Sequence, residues 1–124
     1  MTVVVCGLAT VGATMAAWLL ERGHSVIGVD IDPAKRAAMA DGKAPVSEPG
    51  LAEIFTTAVR NRTLRVSADL AQAIARPEVE TVAIAVGTPS NDNGGLSLEQ
   101  LHSATDAVID GIEHAGEAFI GLLA

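Results

Sequence analysis

Short apolar runs alternate with longer segments of helical periodicity along this chain. The apolar runs are rich in β-branched residues, are typical of strands buried in a parallel sheet and span residues 2–6, 25–29 and 81–86, while residues 64–67 are a further short strand candidate. Helices are predicted between or after them, at residues 11–22, 33–40, 51–60, 69–75 and 97–114. Because strands and helices alternate, the pattern predicts an α/β domain with a doubly wound parallel sheet of about four or five strands.

Local signals set the ends of the predicted helices. Asp32 and Pro33 are typical of an N-cap followed by the first helical residue, and Gly23 is typical of a residue that ends a helix. In the first helix, the spacing of Met15, Trp18 and Leu19 predicts a core-facing side that includes Trp18. The apolar segment after residue 117 fits either a further strand or a helical tail.

Composition narrows the possible functions. A chain of 124 residues corresponds to a single domain over residues 1–124. Its formal net charge of −7 argues against nucleic acid or an anionic membrane as a partner. One cysteine, Cys6, excludes a disulfide framework, and no ligands stand at metal-binding spacing, so no metal site is expected. Without a signal-peptide pattern or a long apolar run, a cytoplasmic protein is expected.

A glycine-containing loop follows the first strand and precedes the first helix. It includes Gly7 at the first position, Ala9 at the second and Gly12 at the third position of a dinucleotide-binding fingerprint. The first glycine makes the tight turn, and the third allows the helix to pack closely on the strand. The helix N-terminus then offers its N–H groups to a pyrophosphate. The methyl group of Ala9 is expected to crowd the pyrophosphate and weaken binding.

An acidic residue, Asp30, ends the second strand. A carboxylate at this place accepts hydrogen bonds from the adenosine ribose and repels a 2′-phosphate, which favours NAD over NADP. No arginine immediately follows it. The alternative interpretation is that Asp30 only terminates the strand while Asp32 caps the next helix. The register of strand, loop, helix, strand and acid favours dinucleotide binding.

Longer segments resemble the N-terminal, Rossmann-like NAD-binding domain of the UDP-glucose/GDP-mannose dehydrogenase family over about residues 1–112. The most specific are EPGL at residues 48–51 and VGTP at residues 86–89, a pairing that 3-hydroxyacid and 6-phosphogluconate dehydrogenases lack. The first loop and the GHSVIGVD segment resemble the GDP-mannose branch more.

The resemblance implies NAD as cofactor and a role in oxidising the C6 alcohol of a nucleotide sugar to a carboxylate. It implies that backbone N–H groups of Thr10 and Val11 line the pyrophosphate and that Asp30 holds the adenosine ribose. Lys35 would reach a cofactor hydroxyl or phosphate, and Thr88 would contact the cofactor from the carboxyl edge of the sheet.

The sequence departs from the family pattern in several places. Ala9 stands where the family usually has glycine, Thr10 where it has tyrosine, and the end reads HAGEAFIGLLA in place of a strand with a Ser-Thr-Val segment. The family's catalytic cysteine region and second nucleotide-binding domain have no counterpart in these residues. Cys6 is expected to be a buried strand residue, so no catalytic residue is assigned and the chain alone is expected to be inactive.

Three functions remain open: the NAD-binding part of a nucleotide-sugar 6-dehydrogenase, a non-catalytic nucleotide-binding module, or a folded remnant without a ligand. A nucleotide sugar is expected as a partner only in a full-length parent. An exposed sheet edge or the apolar C-terminal tail also predicts a homo-oligomer.

Overall fold

A computed structural model of the chain describes residues 1–85 and 119–122. These form one five-stranded parallel sheet with helices against it. The strands are β1 Thr2–Cys6, β2 Ser25–Val29, β3 Leu64–Ser67, β4 Val79–Ile84 and β5 Phe119–Leu122. The helices are α1 Thr10–Glu21, α2 Pro33–Ala40, α3 Leu51–Arg60 and α4 Leu70–Ile74.

The predicted α/β architecture is confirmed. The bounds of β1, β2, β3, α2 and α3 agree with the sequence prediction, and α1 lies one residue earlier than predicted. The strand predicted at 81–86 begins earlier, at Val79, and ends at Ile84. Its pairing with β1 explains the difference, because Val79 pairs with Thr2 and the register then shifts before Thr81 pairs with Val3. The helix predicted at residues 97–114 lies outside the described residues.

The strand order β3-β2-β1-β4-β5 places β1 at the centre of the sheet. From β1 the chain winds outward through β2 and β3, and β4 and β5 then extend the sheet on the opposite side. This reversal creates a topological switch point between β1 and β4, the place where open α/β sheets bind ligands at the carboxyl ends of their strands. Cys6 at the end of β1 pairs with Val29 and with Ile84, so these three strands end at the same level.

The two faces of the sheet carry separate hydrophobic cores. Val3 and Val5 point into the core shared with α1, α2 and α3, whereas Val4 and Cys6 point into the core shared with α4. This alternation is the period of two that a strand imposes on its side chains. Since both faces are covered, β1 is buried along most of its length, as its continuous apolar sequence indicates.

Helix α1 packs on the sheet through small residues. Its buried positions are Gly12, Ala13, Ala16, Ala17 and Leu19. The prediction that Trp18 faces the core is therefore wrong: Trp18 is 51 % exposed. The guanidinium of Arg22 lies 3.8 Å from the centre of its ring, a cation–π contact on the outer surface. A helix held this close to a strand leaves no room for an indole.

The apolar C-terminal segment contributes a strand. Residues 119–122 form β5, which pairs in parallel with β4. The pairing begins with Thr81 opposite Phe119 and ends with Ile84 opposite Leu122. Among the described residues, β3 and β5 are thus the two edge strands of the sheet. Within that described part, no helix has the length and apolar character needed to span a lipid bilayer.

Candidate functional site

The loop between β1 and α1 lies over the switch point. Gly7 has φ +99°, a conformation that L side chains rarely adopt, so the turn requires glycine. Its N–H donates to the Val29 carbonyl at 2.8 Å, which directs the loop across the carboxyl end of β2. On the other side, the Ala85 N–H donates to the Cys6 carbonyl at 2.7 Å, so the chain leaves β4 directly beside the loop.

The N-terminus of α1 lacks a side-chain cap. Its N-cap residue, Ala9, makes no side-chain hydrogen bond, and the first turn contains no acidic residue. The first N–H that bonds back to the cap is that of Ala13, which donates to the Ala9 carbonyl at 2.9 Å. Within the described part of the chain, the N–H groups of Thr10, Val11 and Gly12 have no backbone or side-chain acceptor. Three open donors at the positive end of a helix dipole are the features of a candidate anion site.

Gly12 holds this helix end against the strand. A Cβ at this position would lie 1.6 Å from the Gly7 carbonyl oxygen, a distance that no real side chain tolerates. The close approach is the one expected for the third glycine of a dinucleotide loop. The residues present therefore fit a pyrophosphate held on the α1 N-terminus.

Ala9 occupies the second fingerprint position in an ordinary backbone conformation. With φ −77° and ψ −164°, it adopts extended geometry that any L residue accepts. The path of this loop therefore does not itself require a glycine there. Only the methyl group distinguishes the alanine from a glycine at this point, so its effect on the expected pyrophosphate stays a prediction.

Asp30 links the phosphate loop to the loop that follows β2. One carboxylate oxygen, Oδ2, accepts the N–H of Leu8 at 2.8 Å, and Oδ1 accepts the N–H of Asp32 at the same distance. The residue is half-buried. Each carboxylate oxygen has a second lone pair, so the fixed carboxylate retains capacity for a ligand hydroxyl. Asp30 is thus both a brace for the loop and a candidate ribose acceptor.

Helix α2 carries two basic residues in its first half, Lys35 and Arg36, and Arg36 contacts Asp30. Lys35 lies half-buried in the first turn of α2. Arg36 folds back toward β2, and its Nη1 donates to the Asp30 carbonyl at 2.7 Å. The sequence did not indicate Arg36, because no arginine immediately follows Asp30 along the chain. Arg36 follows Asp30 by six positions, and only the turn into α2 and the first turn of that helix bring the two together.

Cys6 is buried at the end of β1, as the sequence predicts. Burial, and secondarily the negative charge of Asp30, raise the pKa of the thiol to about 11. The thiol therefore stays protonated at neutral pH and is a poor nucleophile. Glu48 is exposed, and its carbonyl accepts the N–H of Leu51 at 3.5 Å, in the turn that precedes α3.

The structure brings together most of the predicted site residues that it describes: Gly7, Ala9, Thr10, Val11 and Gly12 lie on the phosphate loop and the start of α1, and Asp30 bonds to that loop at Leu8. Lys35 lies in the first turn of α2, and no hydrogen bond or ion pair joins its side chain to the other site residues in the described part of the chain. Thr88 lies outside the described residues.

Comparison with known proteins identifies this arrangement. Residues 1–120 match the model of the UDP-glucose/GDP-mannose dehydrogenase family, NAD binding domain. The chain belongs to this family. The match extends past residue 112, where the sequence resemblance ends, and into β5. NAD is accordingly the cofactor of the domain.

Individual relatives agree with this assignment. The chain is 43 % identical over 103 residues to GDP-mannose 6-dehydrogenase from Pseudomonas putida, covering 83 % of the chain and 23 % of that protein. A crystal structure of a ternary complex of GDP-mannose dehydrogenase from Pseudomonas aeruginosa superimposes with a TM-score of 0.86 at 31 % identity, over 100 % of the chain and 29 % of that structure.

A UDP-glucose dehydrogenase from Pyrobaculum islandicum superimposes with a TM-score of 0.82 at 29 % identity, over 98 % of the chain and 28 % of that structure. The chain thus spans about a quarter of the length of the relatives it matches, and it corresponds to the NAD-binding domain of a nucleotide-sugar dehydrogenase.

Proposed function

We propose that this chain binds NAD across the carboxyl edge of its sheet. The pyrophosphate is held by the open N–H groups of Thr10, Val11 and Gly12 at the start of α1. The carboxylate of Asp30 accepts a hydroxyl of the adenosine ribose, and Lys35, in the first turn of α2, binds a cofactor hydroxyl or phosphate. Thr88, in the segment that follows β4, completes the contacts.

The observation that carries this proposal is an uncapped helix end braced by a carboxylate. An N-terminus without a cap leaves N–H groups that need an acceptor. In α1 those groups lie beside Leu8, whose own N–H is held by Asp30 at 2.8 Å. A pyrophosphate would accept hydrogen bonds from the open N–H groups of α1, and the adenosine ribose would donate one to the carboxylate of Asp30.

Cofactor preference follows from the charge at Asp30. A carboxylate that accepts a hydrogen bond from a ribose hydroxyl would lie beside the 2′-phosphate of NADP. The two negative charges would then repel each other. We therefore expect NAD to bind more tightly than NADP.

In a full-length protein, the domain would serve a nucleotide-sugar 6-dehydrogenase. When bound, NAD supplies the hydride acceptor for oxidation of the sugar C6 alcohol. The part played by the described residues is to bind and orient the dinucleotide at the switch point, with its reactive end directed past β4. The relatives named for GDP-mannose favour a GDP-linked sugar as substrate. No catalytic group is assigned to the described residues, so we expect no oxidation by the chain alone.

Titration calorimetry with NAD and NADP tests the proposal. We expect saturable NAD binding, weaker NADP binding, and a loss of NAD affinity of roughly tenfold to a hundredfold in Asp30→Ala, the value of a hydrogen bond to a charged group. Asp41→Ala is the charge-matched control, because it also removes one carboxylate but at the far end of α2, where the residue is exposed. A folded chain that shows no saturation at millimolar NAD would refute the proposal.

We also propose that the chain forms a homo-oligomer through an exposed sheet edge. Among the described residues β3 and β5 are edge strands, and unpaired edges favour association. The tail pairs with its own sheet through β5, so a second copy would add to that edge or to β3. Sedimentation equilibrium distinguishes the states, and a monomer at high protein concentration would contradict the proposal.

A further inference from the structure

Arg36 carries a positive charge that no ion pair neutralises within the described part of the chain. The ion pairs of the described residues are Arg65–Glu78 and Arg76–Glu78. Arg36 instead donates from Nη1 to the main-chain carbonyl of Asp30 at 2.7 Å, and its side chain is half-buried. A half-buried guanidinium is thus fixed beside the residue that we assign to the adenosine ribose.

The guanidinium retains unused donors. Arginine offers five N–H donors in a planar fork, and the contact with the Asp30 carbonyl uses one nitrogen. A phosphate group accepts such a fork in a bidentate manner. The acceptor of Arg36 and the ribose-facing carboxylate belong to the same residue. A phosphate placed on the ribose 2′ oxygen would therefore stand close to both groups.

We propose that Asp30 and Arg36 together form a selector for the adenosine ribose, in which Asp30 excludes a 2′-phosphate and Arg36 is a latent phosphate-binding group. With the carboxylate present, its repulsion dominates and NAD is preferred. When the carboxylate is removed, the repulsion ends, and the donors of Arg36 that the Asp30 main-chain carbonyl does not use can bind the 2′-phosphate. This inference rests on the proposed NAD-binding function and specifies how the site chooses its cofactor.

The test is a set of titrations of the full chain with NAD and NADP. Asp30→Ser removes the carboxylate and shortens the side chain, and we expect its NADP affinity to exceed that of the unmodified chain by roughly tenfold to a hundredfold. The double variant Asp30→Ser with Arg36→Gln should lose that gain. Arg60→Gln in the same Asp30→Ser background is the matched control. It removes the same charge at the end of α3, away from the carboxyl ends of the strands. This variant should keep the gain in NADP affinity.

The outcomes separate this inference from the proposed function. If the unmodified chain does not bind NAD, both are refuted. If it binds NAD but Asp30→Ser gains no NADP affinity, or if the double variant keeps the full gain, only the selector is refuted. A merely structural role for Arg36 would weaken NAD and NADP binding alike, so the NADP-to-NAD affinity ratio is the deciding measurement.

Folding of the variants is monitored separately. Asp30→Ser loses the bonds to the Leu8 and Asp32 N–H groups, so circular dichroism and thermal melts accompany each titration. If Asp30→Ser does not fold, Asp30→Asn serves in its place, because it removes the charge while keeping an oxygen for one of the two N–H groups. The expected gain in NADP affinity and its dependence on Arg36 are then the same in direction.

Discussion

Helices α1 and α2 begin at the same edge of the sheet, yet their N-termini are built in opposite ways. In α2, the Asp32 side chain accepts the Ala34 N–H at 2.8 Å, and Pro33 removes one donor that would otherwise need a partner. In α1, Ala9 offers no side-chain acceptor and no acid follows in the first turn. The N-terminus of α2 is thus capped by a residue of its own sequence, whereas the N-terminus of α1 has no side-chain cap.

The difference shows how a helix N-terminus keeps its N–H donors available to a ligand. A capping side chain contributes about 1 kcal/mol to stability. At α1 that contribution is missing, and close packing through Gly12 holds the helix in place instead. The open N–H groups are then available to an anion, whereas those of α2 are not. The following predictions test this comparison, starting with the largest effect.

Gly12→Ala removes the packing that replaces the cap. A Cβ at 1.6 Å from the Gly7 carbonyl oxygen must push the helix off the strand. We expect the free energy of unfolding to fall by roughly 3 kcal/mol or more, the upper range for overpacked sites. Urea denaturation measures the change. Thr14→Ala, at an exposed position of the same helix, should stay near the unmodified value, and equal stability of the two variants would contradict the close approach.

Ala9→Asp should close the open helix end. Ala9 already has extended N-cap geometry, so an aspartate there can accept a first-turn N–H and stabilise the chain by about 0.5–1 kcal/mol. The same charge should lower NAD affinity by roughly tenfold to a hundredfold, because it takes the donors that the pyrophosphate needs. Stability is read from thermal melts and affinity from calorimetry. Ala9→Asn, a cap without charge, is the control and should weaken NAD binding less.

If Ala9→Asp stabilised the chain and left NAD affinity unchanged, the pyrophosphate would have to bind elsewhere. A gain in stability together with a loss of NAD affinity in Ala9→Asp is therefore the direct test that the pyrophosphate binds at the N-terminus of α1.

Asp32→Ala opens the end that the sequence has closed. The loss of the bond to the Ala34 N–H should lower the free energy of unfolding by about 1 kcal/mol. NAD affinity should stay unchanged, because the contact of this residue with Asp30 uses its main-chain N–H. Asp69→Ala, which removes the equivalent cap of α4, is the matched control for stability. A large loss of NAD affinity in Asp32→Ala would show that α2 also takes part in binding.

Ala9→Gly should have the smallest effect. The backbone at this position does not require glycine, so the variant tests the methyl group alone. We expect NAD affinity to rise by no more than about threefold, which corresponds to less than about 1 kcal/mol. Calorimetry measures the change. A gain of tenfold or more would show that the alanine methyl group stands in the path of the pyrophosphate.

Local sequence signals predicted most of the architecture. The apolar runs of β1 and β2 and the Asp32–Pro33 start of α2 depend on neighbours in sequence, and each appears where the sequence places it. The glycines at positions 7 and 12 were recognised for the same reason, because a turn and a close approach have residue requirements that the chain itself displays.

Periodicity alone assigned the wrong face of α1 to Trp18. The spacing of large apolar residues indicates which side of a helix is apolar, but not how near the helix lies to the sheet. Contact through Gly12 and Ala16 brings α1 so close that small residues fill the interface and the indole is displaced to the surface, where Arg22 covers it. Which side chains of α1 are buried depends on the distance between the helix and the sheet, and that distance is a property of the tertiary structure.

The sequence by itself determined the order of the strands and helices, the positions of the glycine turn and the acidic residue, and membership of the dehydrogenase family, because these depend on local conformational preferences and motif spacing. Only the tertiary structure decided that Asp30 braces Leu8, that Arg36 returns to the Asp30 carbonyl, and that the apolar tail joins β4 as an edge strand. Those contacts join segments distant in sequence, and their partners are fixed by the parallel sheet and the turn into α2.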